Sequence, residues 1–198
     1  MREVVFHVPA NFEVLRHPPS YRALAIHLKR GGLIAYPTES CYGLGCDPQN
    51  FRAVKKLLKL KQRPQRKGLI LIAANYAQVS RYLLPVSIEQ QRHLQTAGAN
   101  ATTYLMTTRR ITPHSLRGAH DTLAVRLTAH KFARDLCCGV RGALVSTSAN
   151  RSGQRPAKTA AECKKMFGET VRVLDGRIGK NKRPSTIKTW SDDKIVRE

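Results

Sequence analysis

Short apolar segments rich in β-branched residues alternate with helix-period segments along most of this chain. This alternation is typical of an α/β domain, in which strands form a central sheet and the connecting helices cover it. The segments LIAYP (33–37) and LILIA (69–73) are the clearest predicted strands, and residues 50–60 form the clearest predicted helix. Because 198 residues can bury one substantial core, the length favours a single domain or two closely merged lobes.

The remaining predicted elements continue the alternation. Helices are predicted at 21–30, 75–83, 131–138 and 159–167, and strands at 102–106, 122–127, 143–147, 171–174 and 185–189. The 50–60 helix is predicted to bury Phe51, Val54, Leu57 and Leu58 and to expose Lys55, Lys56 and Lys59. Residues 38–45 are predicted to form a polar loop in which Gly43 and Gly45 supply positive φ, and residues 8–20 an arm.

Positive charge is in large excess over negative charge. The chain has 35 Lys and Arg against 13 Asp and Glu, which gives a formal net charge of +22. No carboxylate lies between Asp47 and Glu89 or between Glu89 and Asp121, so the positive potential is concentrated locally. An anionic partner is therefore expected; the alternative is a cation-rich surface that serves only solubility.

The cysteines and the hydropathy pattern indicate the cellular compartment in which this protein is expected. Five cysteines, two of them adjacent, make a poor disulfide framework, and no C-x-x-C pair supports a structural zinc site. No stretch approaches about 18 consecutive apolar residues, and MREVVFHVPANF lacks the apolar core of a signal peptide. We expect a soluble cytoplasmic protein with no membrane association and no protein-bound metal.

The common nucleotide and hydrolase motifs are missing from the sequence. The segment GLGCDP (43–48) has proline where G-x-G-x-x-G needs its third glycine, and no Walker A or G-x-S-x-G sequence occurs. Three polar stretches at predicted element ends remain, where open α/β sheets usually build their sites.

Each of the three stretches has two interpretations. The stretch 36–45 could be a structural loop, which explains Gly43 and Gly45, or Thr38 and Glu39 at its strand end could hold a small polar ligand. Lys61, at the border of the apolar helix face, could project across the sheet end, or it could only complement the helix dipole. In an extended chain, the side chains of Ser146, Ser148 and Asn150 point to the same side, after the buried pair Leu144-Val145. They could contact a ligand or cap the next turn.

Together these stretches resemble the YrdC/TsaC family of threonylcarbamoyl-AMP synthases. The matching segments, in the family's order, are YPTESCYGLG, Lys61-Gln62-Arg63 as K-x-R, LAVRL around Arg126, Ser148-Ala149-Asn150 as S-x-N, and PSTI (184–187). They span about residues 18–190, which indicates that residues 1–198 form one domain of the short bacterial form. The resemblance implies a YrdC-like fold, that is, a single-domain twisted mixed sheet with flanking helices and a large basic concave cleft.

The resemblance also implies a reaction and its site residues. L-threonine, bicarbonate and ATP would give threonylcarbamoyl-AMP and pyrophosphate, and a separate transferase complex would use this adenylate to modify tRNA. By motif position, Lys61 and Arg63 would be catalytic and would bind ATP together with Thr122, Ser148 and Asn150. Thr38, Arg126, Ser146 and Ser185 would bind threonine. Mg²⁺ is expected with ATP, and Glu39 is the nearest candidate carboxylate for it. The loop at 64–68 is predicted to close over the cleft.

A non-catalytic RNA-binding protein that uses the basic concave surface is the competing hypothesis. The net charge favours it. The aromatic content of 6%, without alternation of basic and aromatic residues, disfavours base stacking. A synthase could also contact tRNA or other RNA, so the two hypotheses are compatible.

Overall fold

A nine-stranded mixed sheet with helices on both faces forms the framework of the molecule. The computed structural model describes residues 20–197. The helices are α1 (Tyr21–Lys29), α2 (Phe51–Lys61), α3 (Ile88–Ala99), α4 (His114–Arg117), α5 (Lys131–Gly139) and α6 (Ala160–Phe167). The strands are β1 (Ile34–Pro37), β2 (Tyr42–Cys46), β3 (Ile70–Ala73), β4 (Thr102–Thr107), β5 (Thr122–Leu127), β6 (Leu144–Ser148), β7 (Arg172–Val173), β8 (Thr186–Thr189) and β9 (Ile195–Arg197).

The strand order is β7-β1-β2-β6-β3-β5-β4-β8-β9. The pairs β1/β7, β3/β5 and β4/β8 are parallel and the other neighbours are antiparallel, which confirms the predicted mixed sheet. One hydrophobic layer joins α2, α3 and α6 to the sheet, and a second joins α1 and α5 to it. Strands β1, β3 and β6 contribute buried residues to both layers, so the sheet separates the two sides of the core.

Helix α2 shows how its sequence determines its position. The Asn50 side chain accepts from the Ala53 N–H and caps the N-terminus, and Gln62, with a φ of 50°, ends the helix in the left-handed conformation. The predicted inner positions Val54, Leu57 and Leu58 are buried, and the three predicted outer lysines are exposed. Phe51 was predicted to be buried and is 52% exposed, because it lies in the first turn with Lys55 over its ring.

The predicted helix at 75–83 is wrong. This segment forms two 3₁₀ turns, Tyr76–Gln78 and Ser80–Tyr82. The Asn75 side chain accepts from the Gln78 N–H, and the Gln78 side chain accepts from Ala74 N–H and donates to the Cys137 carbonyl. These side-chain contacts satisfy backbone groups locally and compete with helix formation.

The predicted loop at 38–45 is also partly wrong, since Tyr42–Cys46 is strand β2. Gly43 and Gly45 are not among the described residues with positive φ. A Cβ at Gly45 would lie 2.8 Å from the Val145 carbonyl oxygen and 2.9 Å from the Tyr36 ring. Close packing therefore explains the glycine at 45 better than backbone freedom does. Of the predicted 8–20 arm, all but residue 20 lies outside the described residues.

Between residues 20 and 197, no helix has the length and apolar character that crossing a membrane requires.

Candidate active site

A cleft of about 590 Å³ lies where β5, β6, the β1–β2 turn and the C-terminal strands meet. Seven of the predicted site residues line it: Thr38, Arg63, Thr122, Arg126, Ser146, Ser148 and Ser185. The other two, Lys61 and Asn150, contact Ser148 directly. The structure thus brings all nine predicted residues into or against one cavity.

Lys61 joins the K-x-R and S-x-N segments. Its Nζ donates to the Ser148 carbonyl at 2.7 Å and to Asn150 Oδ1 at 2.7 Å, and lies 3.4 Å from Ser148 Oγ. The Ser148 hydroxyl also donates to Asn150 Oδ1 at 2.6 Å. Lys61 is only 6% exposed, and burial, reinforced by the charge of Arg63, lowers its pKa to about 8. The ammonium is therefore held at the end of β6, and within residues 20–197 its hydrogen bonds go to Ser148 and Asn150 and not to carbonyls of α2.

Arg63 lies beside the loop that follows α2. Its Nε and Nη2 donate to the Gly68 carbonyl at 3.1 and 3.0 Å. The Ala119 N–H donates to the Arg66 carbonyl at 3.1 Å, so the loop is held from two sides. Burial and the charge of Arg197 lower the pKa of Arg63. In this state the 64–68 loop is fastened to the cleft wall, and its closure over a ligand stays a prediction.

Two predicted threonine-site residues lie directly after β1 and in the middle of β6. The Thr38 hydroxyl donates to the Cys41 carbonyl at 2.7 Å and so holds the β1–β2 turn. The Ser146 hydroxyl accepts from the Tyr36 hydroxyl at 2.8 Å, and Tyr36 is fully buried. Burial raises the pKa of Tyr36 above its usual range, so Tyr36 stays a neutral donor that orients Ser146.

Ser185 is held on the opposite side of the cleft. Its hydroxyl accepts from Thr103 Oγ1 at 3.1 Å, and its carbonyl accepts from Arg197 Nη2 at 3.1 Å. Thr122 lies at the start of β5 and lines the cavity.

Arg126 emerges from β5 and meets a carboxylate. Its Nη2 lies 3.3 Å from Glu39 Oε2, and both side chains are largely buried. The Thr128 hydroxyl donates to Glu39 Oε1 at 2.7 Å. Arg126 Nε is buried and has no hydrogen-bond partner among the described residues. The guanidinium is therefore paired with Glu39 through Nη2, and its Nε remains an unpaired donor in the described part of the chain.

The cleft lining is strongly cationic. The described lining residues include the cations Arg63, Lys67, Arg117, Arg126, Lys158, Lys182 and Arg197, and no Asp or Glu. Such a surface favours an anionic ligand, since opposite charges attract more strongly where water is partly excluded.

Arg197 is the residue that the sequence analysis missed. Strand β9 pairs with β8, with Arg197 opposite Ile187, and this pairing carries the guanidinium into the cleft. The turn segment SDD (191–193) between two β-branched runs is the sequence signal that could have revealed this hairpin. The charge of Arg197 adds to burial in lowering the pKa of Arg63.

No group of three or more His, Cys, Asp and Glu side chains suited to a metal ion occurs within residues 20–197. Glu39, which the sequence suggested as the nearest candidate carboxylate for Mg²⁺, has both oxygens engaged by Arg126 and Thr128.

Comparison with known proteins finds relatives along most of the chain. The Sua5/YciO/YrdC family model, described as Telomere recombination, matches residues 27–198. The threonylcarbamoyl-AMP synthase of Methylobacillus flagellatus is 52% identical over 176 residues, which cover 89% of this chain and 98% of that protein. The threonylcarbamoyl-AMP synthase of Thiobacillus denitrificans is 48% identical over 174 residues, which cover 88% and 93%.

A solved structure supports the same relationship. The crystal structure of P. abyssi Sua5 complexed with L-threonine has a TM-score of 0.79 and 26% identity to this chain. The match covers 88% of this chain and 52% of the Sua5 chain, so this chain spans about half the length of that protein. The residues matched by the family model include every cleft residue described above. The chain therefore belongs to the Sua5/YciO/YrdC family.

Proposed function

We propose that this protein synthesises threonylcarbamoyl-AMP from L-threonine, bicarbonate and ATP and releases pyrophosphate. The names of its curated relatives support this activity. The observation that carries the proposal is the contact of Lys61 with Ser148 and Asn150 at the edge of a cation-lined cleft that also contains Arg126. One cavity thus offers donors for a polyphosphate and a guanidinium for an amino-acid carboxylate.

The reaction needs alignment and charge neutralisation more than a protein nucleophile. Bicarbonate and the α-amine of threonine form a carbamate with loss of water. A carbamate oxygen then attacks the α-phosphorus of ATP, and the bond to the β,γ-pyrophosphate breaks. Positioned cations stabilise the charge that develops on the leaving group.

We assign the nucleotide to Lys61, Arg63, Thr122, Ser148 and Asn150. Lys61 would act as a point charge and Arg63 as a planar fork on the triphosphate. A charge pair at 4 Å contributes about 1 kcal/mol in water and about 4 kcal/mol at an effective dielectric of 20, so the partly enclosed cleft strengthens both contacts.

We add Arg197 to the proposed nucleotide-binding residues, because its side chain lines the cleft. It neighbours Ser185 and influences Arg63 electrostatically, so a third cation lies close to the proposed phosphate site. Its position on the C-terminal hairpin would let that hairpin contribute to nucleotide binding.

We assign threonine to Thr38, Arg126, Ser146 and Ser185. Arg126 would pair with the α-carboxylate, and the three hydroxyl groups would hydrogen-bond the remaining polar atoms. The surrounding cations would lower the pKa of the bound α-ammonium, because like charge disfavours the protonated form. The free amine, which is the nucleophile toward bicarbonate, would be more abundant in the cleft than in water.

Mg²⁺ would enter as MgATP. The described cleft lining offers no carboxylate, and Glu39 is engaged on both oxygens, so phosphate oxygens and water would hold the ion. The chain's own contribution would be the cations that bind the phosphates.

The product would leave for a separate threonylcarbamoyl-transferase complex that modifies tRNA, and we place the reaction in the cytoplasm. Direct contact with tRNA or other RNA is compatible with the basic surface. The names of the relatives above give no support to the non-catalytic RNA-binding alternative.

Product identification tests the proposal. Protein incubated with ATP, threonine and ¹³C-labelled bicarbonate should give an adenylate whose mass contains threonine and one ¹³C atom. Omission of threonine should remove that mass. An adenylate that forms without ¹³C incorporation would contradict the proposed reaction.

A further inference from the structure

The carboxylate of Glu39 contacts Arg126 without lining the cleft itself. Its Oε2 lies 3.3 Å from Arg126 Nη2, while the described lining includes Arg126 and not Glu39. The carboxylate therefore reaches the guanidinium from the side of the protein, and a ligand reaches it from the cavity. We propose that Glu39 is a positioning residue, which holds the Arg126 guanidinium in the orientation that receives the carboxylate of the amino-acid substrate.

Glu39 is too firmly held to be a temporary occupant of the substrate position. Its Oε1 accepts from the hydroxyl of fully buried Thr128, and Thr128 Oγ1 itself accepts from the His130 N–H at 3.2 Å. The Glu39 carbonyl accepts from the Asn181 N–H at 3.1 Å. A Cβ at Gly179 would lie 2.6 Å from the Glu39 carbonyl oxygen, so the backbone there is closely packed. The carboxylate stays in place while a ligand enters.

The hydrogen-bonding capacity of Arg126 is only partly used by the protein. Glu39 engages one terminal nitrogen, and the buried Nε has no partner in the described part of the chain. Buried donors are normally paired, so the Arg126 side chain, which lines the cavity, retains capacity for an acceptor that enters there. A substrate carboxylate is an acceptor with the geometry that a guanidinium fork prefers.

The neighbouring charges explain why Arg126 needs a fixed partner. Burial and, after it, the charge of Arg126 lower the pKa of Arg197, and burial and the charge of Arg197 lower that of Arg63, so the Arg197 guanidinium repels each of the other two. Glu39 opposes this repulsion on the side of Arg126 away from the cavity. Loss of its charge would leave Arg126 free to turn from the other cations and away from the ligand.

The proposal rests on the proposed function, and steady-state kinetics of Glu39→Gln separates the two. Wild-type protein must first show threonine-dependent pyrophosphate release; without it the proposed function fails. If it is active, Glu39→Gln should raise the KM for threonine at least about tenfold and change the KM for ATP less than about threefold. Asp135→Asn, which removes a carboxylate from the exposed Lys131–Asp135 pair, should leave both KM values unchanged.

Two further variants distinguish positioning from a general structural role. Thr128→Val, which releases Glu39 Oε1, should raise the KM for threonine in the same direction by a smaller factor. In an Arg126→Lys background, Glu39→Gln should have little further effect, because Glu39 acts through the guanidinium. Equal rises in both KM values, an unchanged KM for threonine in Glu39→Gln, or a full additional effect in the Arg126→Lys background would each overturn the proposal.

Discussion

Lys61 Nζ lies 2.7 Å from Asn150 Oδ1, and this contact joins two motifs that are 89 residues apart in the chain. The ammonium enters the cleft wall because α2 ends one residue later, at Gln62 in the left-handed conformation. The carbonyl of Ser148, the last residue of β6, also accepts a hydrogen bond from this ammonium. A helix terminus and a strand terminus are thereby fixed to each other at the proposed phosphate position.

Lys61→Ala should reduce pyrophosphate release at least about 100-fold, because removal of a preorganised electrostatic group typically costs this much in rate. Circular dichroism should show the same fold. Lys59→Ala is the matched control, since Lys59 lies on the same helix and is exposed. Normal turnover in Lys61→Ala would show that the site is placed wrongly.

The lowered pKa of Lys61, about 8, predicts how ATP binding depends on pH. Below pH 8 the ammonium is charged, and above it the neutral amine loses its attraction for phosphate. Calorimetric affinity for ATP without threonine should therefore decrease between about pH 7 and 9.5. Lys61→Arg keeps its charge over this range and should show a flatter profile; equal slopes in both proteins would refute the role of Lys61.

The same group has a defined effect on stability. Unfolded Lys61 titrates near its ordinary value of 10.5, so between about pH 8 and 10.5 the unfolded chain binds the additional proton. The contribution of Lys61 to the free energy of unfolding therefore increases as pH rises through this window.

Arg197→Ala should raise the KM for ATP about 10- to 100-fold, the range expected for a lost charge-assisted contact of about 1.5–3 kcal/mol. Lys194→Ala is the control, because it removes an exposed cation from the same hairpin segment. A KM for ATP that stays at the wild-type value in Arg197→Ala would exclude Arg197 from the nucleotide site.

Gly98→Ala should destabilise the fold by about 1–3 kcal/mol or more. A Cβ at Gly98 would lie 1.7 Å from the Leu127 carbonyl oxygen, so α3 would have to move away from β5. Gly142→Ala, where no heavy atom lies within 4 Å of the added Cβ, should change stability by less than about 1 kcal/mol. Urea unfolding measures the stability of both variants. Equal unfolding midpoints for Gly98→Ala and Gly142→Ala would contradict the predicted close packing at Gly98.

Hydrophobic periodicity was sufficient to predict the position of those helices and strands that have strong apolar patterns. Strands β3 and β5 and helix α2 lie close to their predicted bounds, because their buried positions recur at strand or helix spacing. Helix α3 was missed because Leu94 and Gly98 are its only fully buried residues. Its capping box, in which Ser87 and Gln90 exchange hydrogen bonds, was the local signal that could have located it.

The candidate site was predictable where motifs lie at element ends. Lys61 was placed at the border of the apolar face of α2, and that position takes it to β6. The partner of Arg126 was not predictable from local pattern, because it depends on the long-range contact of Glu39 with β5. The SDD turn indicates the β8–β9 hairpin, but the place of that hairpin beside the cleft depends on the long-range pairing of β8 with β4. Glu39 was considered as a metal ligand, whereas its two oxygens are used by Arg126 and Thr128.

Pyrophosphate release, measured with threonine and bicarbonate omitted in turn, is the decisive test of the proposed synthase activity. Release from ATP should occur only when both are present and should be lost in Lys61→Ala. Pyrophosphate release that proceeds at the same rate without threonine would contradict it.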